Sequence, residues 1–403
     1  MEYNSNISFP QKTLIGIQFL FVAFGATVLV PLLVGIEPSL ALLSAGIGTL
    51  IFHLVTRGRV PVFLGSSFAF VAPIIKATEL YGYAGMLSGI VAVGVIYTLV
   101  ALLVKWQGKG FIERIFPSVV VGPIIMVIGL SLASAGVDMA ETNWILAIVS
   151  LLTAIVVSIY MKGIIKLIPI FIGILAGYVL ALFMGEIDFT PIHDAAWLAL
   201  PEFTKPELNW NAVLFMVPVA VAPLIEHVGD MYAIGAVAKK NFIKNPGLNR
   251  TMLGDGIATS LAGFMGSVPN TTYSEVTGAV SLTKMFDPYV LRISAITAIV
   301  FSVIGKVSGV LKSIPQSILG GIMLLLFGTI ASVGIKTLIN SKTDMNKTRN
   351  MVIVSVILTV GIGGAVVEFG NFSMAGIGLA SIVGVVLNLI LPEKSKPVKM
   401  KRS

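Results

Sequence analysis

The 403-residue chain contains no cysteine and few charged residues. Without cysteine it can form neither a disulfide nor a thiolate nucleophile. Charged residues make up 11% of the sequence, whereas a soluble domain has roughly 25%. The sequence also lacks a phosphate-binding glycine loop and any histidine cluster with the spacing of a zinc site. These absences argue against a soluble enzyme and against ATP-driven activity, and they predict neither a bound metal nor an organic cofactor.

Apolar sequence is abundant instead: 56% of the residues are hydrophobic, and runs close to the ~20 residues that cross a bilayer recur along the chain. We predict an all-α polytopic membrane protein with 14 transmembrane segments. Ten of the apolar runs are continuous: 14–34, 40–55, 86–104, 144–160, 168–184, 212–234, 293–307, 318–333, 351–366 and 374–391. Four are short or interrupted by glycine or proline: 61–75, 117–133, 252–266 and 271–282.

Lysine and arginine are distributed asymmetrically between the predicted connections. If the amino terminus is cytoplasmic, 23 of the 27 basic residues fall on the cytoplasmic side, as the positive-inside rule requires. The exceptions are Lys76, Lys205, Lys306 and Lys312, of which Lys306 falls inside a predicted segment. We therefore predict a multi-pass protein of the cell membrane with both termini cytoplasmic and no cleaved signal peptide. The net charge of +8 then reflects basic loops that face anionic lipid, and we expect no nucleic-acid binding.

The third and tenth predicted segments differ from simple helices. Residues 60–73 contain a polar Gly-Ser-Ser between two prolines, and residues 266–278 are polar almost throughout. Unpaired backbone at membrane depth is tolerated only where it faces protein or water, so we predict short extended stretches leading into a half-helix at each break. Ser67 and Ser274 lie 207 residues apart, close to half the chain. Because seven segments per half is an odd number, we predict two inverted repeats of seven with a binding site at the breaks; two kinks of purely structural use are the alternative.

Four of the nineteen acidic residues fall inside predicted segments: Glu226, Asp230, Asp255 and Glu275. A carboxylate in hydrocarbon costs about 2.5–3.5 kcal/mol, so such residues usually line a cavity or an ion path. Glu226 and Asp230 are four apart and share a helix face. A pair this close in a dry site does not stay doubly ionised, which makes one of them the predicted proton carrier. For Asp230 the alternative is exposure to water near the cytoplasmic end, for Asp255 a purely structural role, and His227 is expected to contact a neighbouring helix.

Five stretches together resemble the nucleobase–ascorbate transporter family. They are Phe24-Gly-Ala-Thr-Val-Leu-Val-Pro31, Leu64-Gly-Ser-Ser-Phe-Ala-Phe70, Glu226-His-Val-Gly229, Pro246-Gly-Leu-Asn-Arg250 and Pro269-Asn-Thr-Thr-Tyr-Ser-Glu275. The similarity covers almost the whole chain and looks closest to the bacterial uracil permeases of that family. It implies 14 spans in two inverted repeats, a core domain from residues 13–104 and 211–307, a gate domain from residues 111–184 and 314–391, and usually a homodimer.

The resemblance also implies proton-coupled uptake of a nucleobase, with uracil favoured and the proton as the coupling ion. Carried over residue by residue, it implies a substrate site made of Ser67, Phe68, Glu226, Tyr273, Ser274 and Glu275. In that site the two glutamates accept the N–H groups of the base, backbone at Phe68 and Ser274 meets its polar edge, and Tyr273 packs nearby. Proton coupling is expected at Glu226 and Asp230, with Asp255 in a structural or coupling role.

Three positions depart from the uracil-permease pattern and leave the substrate open. Phe19 and Asp230 stand where uracil permeases commonly have histidine, and Val276 stands where the family usually has asparagine. Purine-transporting relatives tend to have aspartate at the position of Asp230, so a symporter for xanthine or urate is the alternative. An anion transporter of related architecture is a further alternative. It predicts an arginine or lysine near the two breaks, and neither break contains one.

Overall fold

The computed structural model describes residues 8–108, 110, 115–163, 165–369 and 372–392. In chain order the helices are α1 (Phe9–Leu33), α2 (Pro38–Val55), α3 (Val71–Gln107), α4 (Ser118–Leu130), α5 (Ala133–Glu141), α6 (Trp144–Tyr160), α7 (Pro169–Met184), α8 (Thr190–Asp194), α9 (Trp210–Met216), α10 (Val221–Ala238), α11 (Leu248–Met265), α12 (Ser274–Thr283), α13 (Pro288–Ser302), α14 (Gly305–Lys312), α15 (Gln316–Asn340), α16 (Thr348–Ile362) and α17 (Gly376–Ile390). The strands are β1 (Leu64–Ser66), β2 (Asn270–Thr272), β3 (Val366–Phe369) and β4 (Phe372–Ala375). Both chain termini, together with Lys109 and Arg114 of the orientation prediction, lie outside the described residues.

Six helical stretches of the described chain are long and apolar enough to cross a membrane. They are Phe9–Leu33, Pro38–Val55, Phe68–Gln107, Ser118–Glu141, Trp210–Ala238 and Gln316–Asn340. The helices α6, α7, α13, α16 and α17 are shorter but also apolar. Helices lie where the apolar runs predict them because a helix satisfies its own backbone hydrogen bonds and so tolerates a surrounding without water. The prediction of a mainly helical protein, with helices long and apolar enough to span a membrane, is confirmed.

Several predicted boundaries are wrong, because hydropathy does not register where the backbone changes its hydrogen-bond partners. α13 ends at Ser302, and Lys306 belongs to the separate helix α14 rather than to a long apolar segment. The ammonium of Lys306 donates to the carbonyl oxygen of Ile192 at 2.7 Å. α16 ends at Ile362 and α17 begins at Gly376, with β3 paired antiparallel to β4 between them. The prediction placed extended residues only in the third and tenth segments, and it therefore missed β3 and β4.

Helix α3 combines the half-helix predicted after the first break with the fourth predicted segment. Its backbone is interrupted at Gly82, where φ is 74° and ψ is 164°. Glycine adopts this conformation without the clash that a Cβ atom would cause. The two parts of α3 are therefore distinct helices that meet at one glycine.

The most extensive helix contacts fall into two groups. In the first group, α2 and α3 pack on α11, α9 packs on α3, and α13 packs on α1 and α2. In the second group, α15 packs on α4, α5 and α6, α6 packs on α7, and α16 packs on α4 and α17. Small residues allow the closest approaches: a Cβ on Gly256 of α11 would lie 2.8 Å from the carbonyl oxygen of Gly94 on α3.

Strands β1 and β2 join the two halves of the chain. They pair antiparallel, with Gly65 opposite Thr271 and Ser66 opposite Asn270. The backbone N–H of Ser67 extends the ladder to the carbonyl oxygen of Pro269 at 3.1 Å. β1 leads through a 3₁₀ turn into α3, and β2 leads into α12. The extended residues predicted at the two breaks are present, and their pairing brings positions half a chain apart into contact.

Candidate functional site

A cavity of about 60 Å³ lies beside the β1–β2 pair, where both strands lead into helices. Polar lining comes from both breaks and from two glutamates: Ser66, Ser67, Phe68, Thr271, Thr272, Tyr273, Glu226 and Glu275. Apolar lining comes from Ala26, Ala69, Ile125, Ile128 and Ile330. Because α4 and α15 supply the isoleucines, the cavity lies at the boundary between the two helix groups. Its volume is far below the ~300–1,000 Å³ of drug-sized sites, so a small ligand fits it best.

A larger cavity of about 480 Å³ lies between α1, α7 and α14, and its chemistry is different. Its walls are aromatic and aliphatic, with Phe21, Phe171 and Phe301 packed against one another at centroid distances of 4.9 and 6.3 Å from Phe21. It lacks a cluster of polar groups that could orient a polar ligand. The smaller cavity at the strand pair is therefore the candidate site.

Glu226 and Glu275 reach the candidate site from different helices. Glu226 lies on α10 and is half-buried, whereas Glu275 lies in the first turn of α12 and is exposed. At a helix amino terminus the helix dipole stabilises a carboxylate by about 0.3–1 kcal/mol. The described lining contains neither lysine nor arginine. The site therefore offers acceptors to N–H donors and is unfavourable for an anion.

The backbone at the first break forms another wall. Phe68 begins a 3₁₀ turn directly after Ser67, and Ser274 begins α12 at the second break. The first N–H groups of a helix have no partner within that helix, so they are available to an acceptor on a ligand. The ring of Phe68 packs edge-on against Phe327 of α15 with the centroids 6.2 Å apart. Phe68 thus contacts both helix groups.

Tyr273 fixes the two strands relative to α1. It is buried, its hydroxyl donates to the carbonyl oxygen of Ser66 at 2.7 Å, and it accepts from the hydroxyl of Thr27 at 3.3 Å. Its ring passes directly over Gly65, where an added Cβ would lie 2.5 Å from the ring carbon Cζ. Tyr273 lines the cavity, and it also holds β1, the strand that leads to Ser67.

Asp230 lies next to the strand pair rather than in water. Its side chain is buried, and its Oδ2 accepts from the hydroxyl of Thr272 at 2.9 Å. Thr272 also lines the candidate site. Thr272 was not among the site residues predicted from the sequence. The alternation of side chains along a strand indicates only that Thr271 and Thr272 lie on opposite faces of β2. Asp230 is thus connected to the site through Thr272.

His227 and Asp255 form a fully buried pair behind β2. The His227 Nδ1 lies 3.0 Å from the Asp255 Oδ2, and both side chains have no exposed surface. The His227 Nε2 lies 2.9 Å from the hydroxyl oxygen of Thr251 on α11. The helix contact expected for His227 is therefore present. Asp255 lies outside the lining of the cavity, which is consistent with either a structural or a coupling role.

Two of the three departures from the uracil-permease pattern lie away from the cavity. Phe19 of α1 is 2% exposed, and Val276 of α12 is completely buried. Neither lines the candidate site. Asp230 is the departure whose side chain is linked to the lining, through Thr272.

Metal ligands do not cluster in the part of the chain that the structure describes: no three His, Asp or Glu side chains are grouped so that they could hold an ion. The predicted substrate residues with described side chains, namely Ser67, Phe68, Glu226, Tyr273 and Glu275, all line one cavity. The fold and the site together are those of a multi-pass membrane transporter.

The sequence matches known permeases along almost its whole length. A family model described as the permease family matches residues 10–369. The chain is 48% identical to the probable uracil permease of Pasteurella multocida (strain Pm70), over 97% of this chain and 96% of that protein. It is 43% identical to the uracil permease of Bacillus subtilis (strain 168), over 94% and 92%. It is 41% identical to the uracil permease of Escherichia coli (strain K12), over 93% and 90%.

Solved structures with the same fold have little sequence in common with the chain. The transmembrane domain of a cyanobacterium bicarbonate transporter, BicA, matches with a TM-score of 0.66 at 12% identity, over 95% of this chain and 98% of that chain. The murine anion transporter Solute Carrier 26 family member A9, in its inward-facing state, matches with a TM-score of 0.70 at 11% identity, over 97% and 69%. At these identities the likeness establishes the fold alone.

The chain belongs to the permease family. The resemblance to nucleobase–ascorbate transporters and to bacterial uracil permeases is thereby confirmed.

Proposed function

We propose that the protein takes up a nucleobase, with uracil as the preferred base, together with a proton by alternating access. The observation that carries the proposal is the pair Glu226 and Glu275, which face one small cavity from two helices. A uracil-like ring presents two N–H donors and two carbonyl acceptors. Two carboxylates complement the donors, and first-turn N–H groups at Phe68 and Ser274 complement the acceptors. A site built this way rejects analogues that lack the donors, because its acceptors would lose their partners when the ligand excludes water from them.

The names of the relatives support uracil over other bases, since proteins called uracil permeases are 41–48% identical to this chain over nearly the full length. The small cavity also favours a single ring over the two fused rings of a purine. Asp230 supports the competing substrate, xanthine or urate. An anion transporter has less support, because the described lining of the cavity contains no cationic side chain.

For the architecture, we propose 14 spans in two inverted repeats of seven, in the cell membrane with both termini cytoplasmic. The pairing of β1 with β2 and the two groups of helix contacts support this layout. The core would comprise residues 13–104 and 211–307, and the gate would comprise residues 111–184 and 314–391. The cavity between the groups is where movement of the core against the gate would expose a substrate to either side. Association of two copies into a homodimer is expected from the family.

Coupling is proposed to reside in Glu226 and Asp230. They lie a turn apart on α10, and the carboxyl of Glu226 interacts with those of Asp230, Glu275 and Asp255. Several carboxylates in a poorly solvated space repel one another, and a bound proton removes one of the charges. Protonation would therefore favour occupation of the site by a neutral base, and the loaded core would then move.

Uptake into liposomes containing the purified protein tests the substrate and the coupling together. We expect labelled uracil to accumulate when a proton gradient is imposed, to be displaced by unlabelled uracil, and to be released by an uncoupler. Displacement by xanthine or urate in place of uracil would reassign the substrate. Uracil uptake without proton movement or sensitivity to the uncoupler would refute symport.

Glu275→Ala tests the site itself. Removing a charged acceptor costs about 1.5–3 kcal/mol, so uracil affinity should fall by roughly 10- to 150-fold. Glu202→Ala, an exposed glutamate outside the lining, is the matched control and should bind uracil as the unmodified protein does. Undiminished binding in Glu275→Ala would rule out the proposed site.

A further inference from the structure

A line of close polar contacts runs behind the candidate site from Asp230 to Asp255. The hydroxyl of Thr272 donates to the Asp230 Oδ2 at 2.9 Å and lies 3.3 Å from the His227 Nδ1. The same Nδ1 lies 3.0 Å from the Asp255 Oδ2. These four side chains come from α10, α11 and β2, and all are buried. One hydroxyl, that of Thr272, therefore separates Asp230 from the His227–Asp255 pair.

The hydrogen bonds fix one nitrogen of His227 and leave the other variable. The hydroxyl of Thr251 donates to the backbone carbonyl oxygen of Leu248 at 3.0 Å, so its single proton is already used. Its oxygen can then only accept from the His227 Nε2, 2.9 Å away. Nε2 therefore carries a hydrogen, and the proton content of the ring is decided at Nδ1.

Nδ1 faces two acceptors in the observed arrangement. The carboxylate of Asp255 is one acceptor, and the hydroxyl oxygen of Thr272, whose proton points to Asp230, is the other. Without a proton on Nδ1, lone pairs on Nδ1, on the Asp255 carboxylate and on the Thr272 oxygen would face one another in a buried space. Such an arrangement costs free energy. With that proton, the ring is an imidazolium that forms an ion pair with the Asp255 carboxylate, 3.0 Å from Nδ1. The cluster is thus built to hold a proton.

A second arrangement of the same atoms is reached by moving two protons. Nδ1 returns its proton to the Thr272 oxygen, and the former Thr272 proton passes to the Oδ2 of Asp230. Asp230 is then a neutral acid that donates to Thr272, and Thr272 donates to a neutral His227. No proton is gained or lost, and only the O–H and N–H bonds along this line are broken and formed.

We propose that the Thr272 hydroxyl relays the coupling proton between Asp230 and the His227–Asp255 pair. The transport consequence rests on the proposed proton symport. Thr272 is also a residue of β2 and lines the base cavity, paired opposite Leu64 of β1. The direction of the Thr272 hydroxyl therefore depends on the position of the proton, and Thr272 belongs to the strand beside the base cavity. Thr272 is thus both part of the proton path and part of the lining of the base cavity.

Other titratable groups face this line of contacts and define its surroundings. Glu226 on α10 interacts with both Asp230 and Asp255, and Glu275 on α12 interacts with Glu226. The buried hydroxyl of Tyr97 on α3 interacts with Asp255, Glu226 and Asp230. The ring of Phe52 on α2 packs against His227 with centroids 6.5 Å apart. Carboxyl groups thus dominate the surroundings, and they favour a proton within the cluster.

Thr272→Val and Thr272→Ser form a matched pair that tests the relay. Valine keeps the shape of threonine without the hydroxyl, whereas serine keeps the hydroxyl. In liposomes, we expect Thr272→Val to lose proton-driven accumulation of uracil by about 100-fold, the lower end of what positioned proton transfer contributes. Exchange of labelled for unlabelled uracil should fall far less than accumulation does, because the loaded carrier returns without releasing its proton. Thr272→Ser should accumulate far more uracil than Thr272→Val, and equal accumulation in both variants would overturn the proposal.

Nitrogen-15 NMR of labelled histidine gives a readout that does not depend on transport. The chain has three histidines, so His227→Gln assigns the His227 signals by their loss. The rate of proton exchange at the His227 ring nitrogens, measured from their line widths, should be similar in the unmodified protein and in Thr272→Ser and far lower in Thr272→Val. The same rate in Thr272→Val would also overturn the relay, even if that variant transported nothing.

The two proposals fail in different ways. If the unmodified protein neither binds nor accumulates uracil, the proposed function fails while the NMR comparison still decides the relay. If it accumulates uracil with protons and Thr272→Val does the same, only the relay fails. Loss of uracil exchange as well as accumulation in Thr272→Val, with an unchanged rate of proton exchange at His227, would assign Thr272 to the base site and not to the proton path.

Discussion

Gly65 is a position in the candidate site where even one added methyl group should disturb the structure. In Gly65→Ala the new Cβ would lie 2.5 Å from Cζ and 2.6 Å from the hydroxyl oxygen of Tyr273. It would also lie 2.6 Å from the hydroxyl oxygen of Thr27. Carbon does not approach such atoms within 3.0 Å, so the strand, the tyrosine or the threonine must move.

None of these groups can move without a cost. Tyr273 is 6% exposed and is held by its hydrogen bond to the carbonyl oxygen of Ser66, while Thr27 is fully buried. Overpacking of this kind costs about 1–3 kcal/mol, and loss of the hydrogen bond adds about 1 kcal/mol. We therefore expect a free-energy cost of about 2–4 kcal/mol, because β1 must be displaced to make room for the methyl group. If this cost falls on substrate binding, uracil affinity decreases by roughly 30-fold or more.

Uracil binding to the purified protein, measured by isothermal titration calorimetry beside a thermal unfolding curve, tests this expectation. Gly328→Ala is the matched control, because a Cβ at that helical position meets no atom within 4 Å. The control should keep both its affinity and its unfolding temperature. Gly65→Ala with the affinity and unfolding temperature of the unmodified protein would refute the packing described for Tyr273 over β1.

Three further substitutions probe the elements that hold the site. Tyr273→Phe removes the donor to the buried carbonyl of Ser66 at a cost of about 0.5–1.5 kcal/mol, so uracil should bind roughly 2- to 10-fold more weakly in calorimetry, and unchanged binding would contradict this role. Thr49→Val removes a hydroxyl that lies 2.9 Å from the backbone nitrogen and 3.3 Å from the carbonyl oxygen of Leu64. It should lower the free energy of unfolding by about 1–3 kcal/mol, and an unchanged unfolding temperature would argue against it. Asp287→Ala removes the amino-terminal cap of α13 and should cost about 1 kcal/mol of stability without altering uracil affinity, so weaker binding would be unexpected.

Hydropathy predicted the helical framework because membrane spans are apolar on nearly every side. The bounds predicted for α6, 144–160, coincide with those of the helix. Ends that depend on backbone pairing were harder to predict. Strands β3 and β4 interrupt the last two apolar runs, and Lys306 was assigned to a span although its ammonium is held by the backbone of α8. Hydrogen-bond partners distant in sequence leave no mark on local hydropathy.

Several of the residues that line the candidate cavity were predicted from the sequence, but their contacts were not. Two polar breaks and two intramembrane glutamates were recognisable because each is costly in a membrane. Thr272 and Thr251 carried no such signal, since a threonine hydroxyl in a helix or strand is usually satisfied by nearby backbone. Their importance comes from His227, which lies within hydrogen-bonding distance of both hydroxyls, although Thr251 is 24 and Thr272 is 45 positions away in sequence.

The sequence by itself determined that the chain lies in a membrane, where its polar breaks fall, and which carboxyl groups are placed in apolar segments at a cost. These are local properties, set by the transfer free energy of each side chain. Only the tertiary structure decided that the two breaks pair as strands, that Glu226 and Glu275 face one cavity, and that one threonine separates Asp230 from His227. Those relations depend on which helices pack together, and packing is a property of the whole chain.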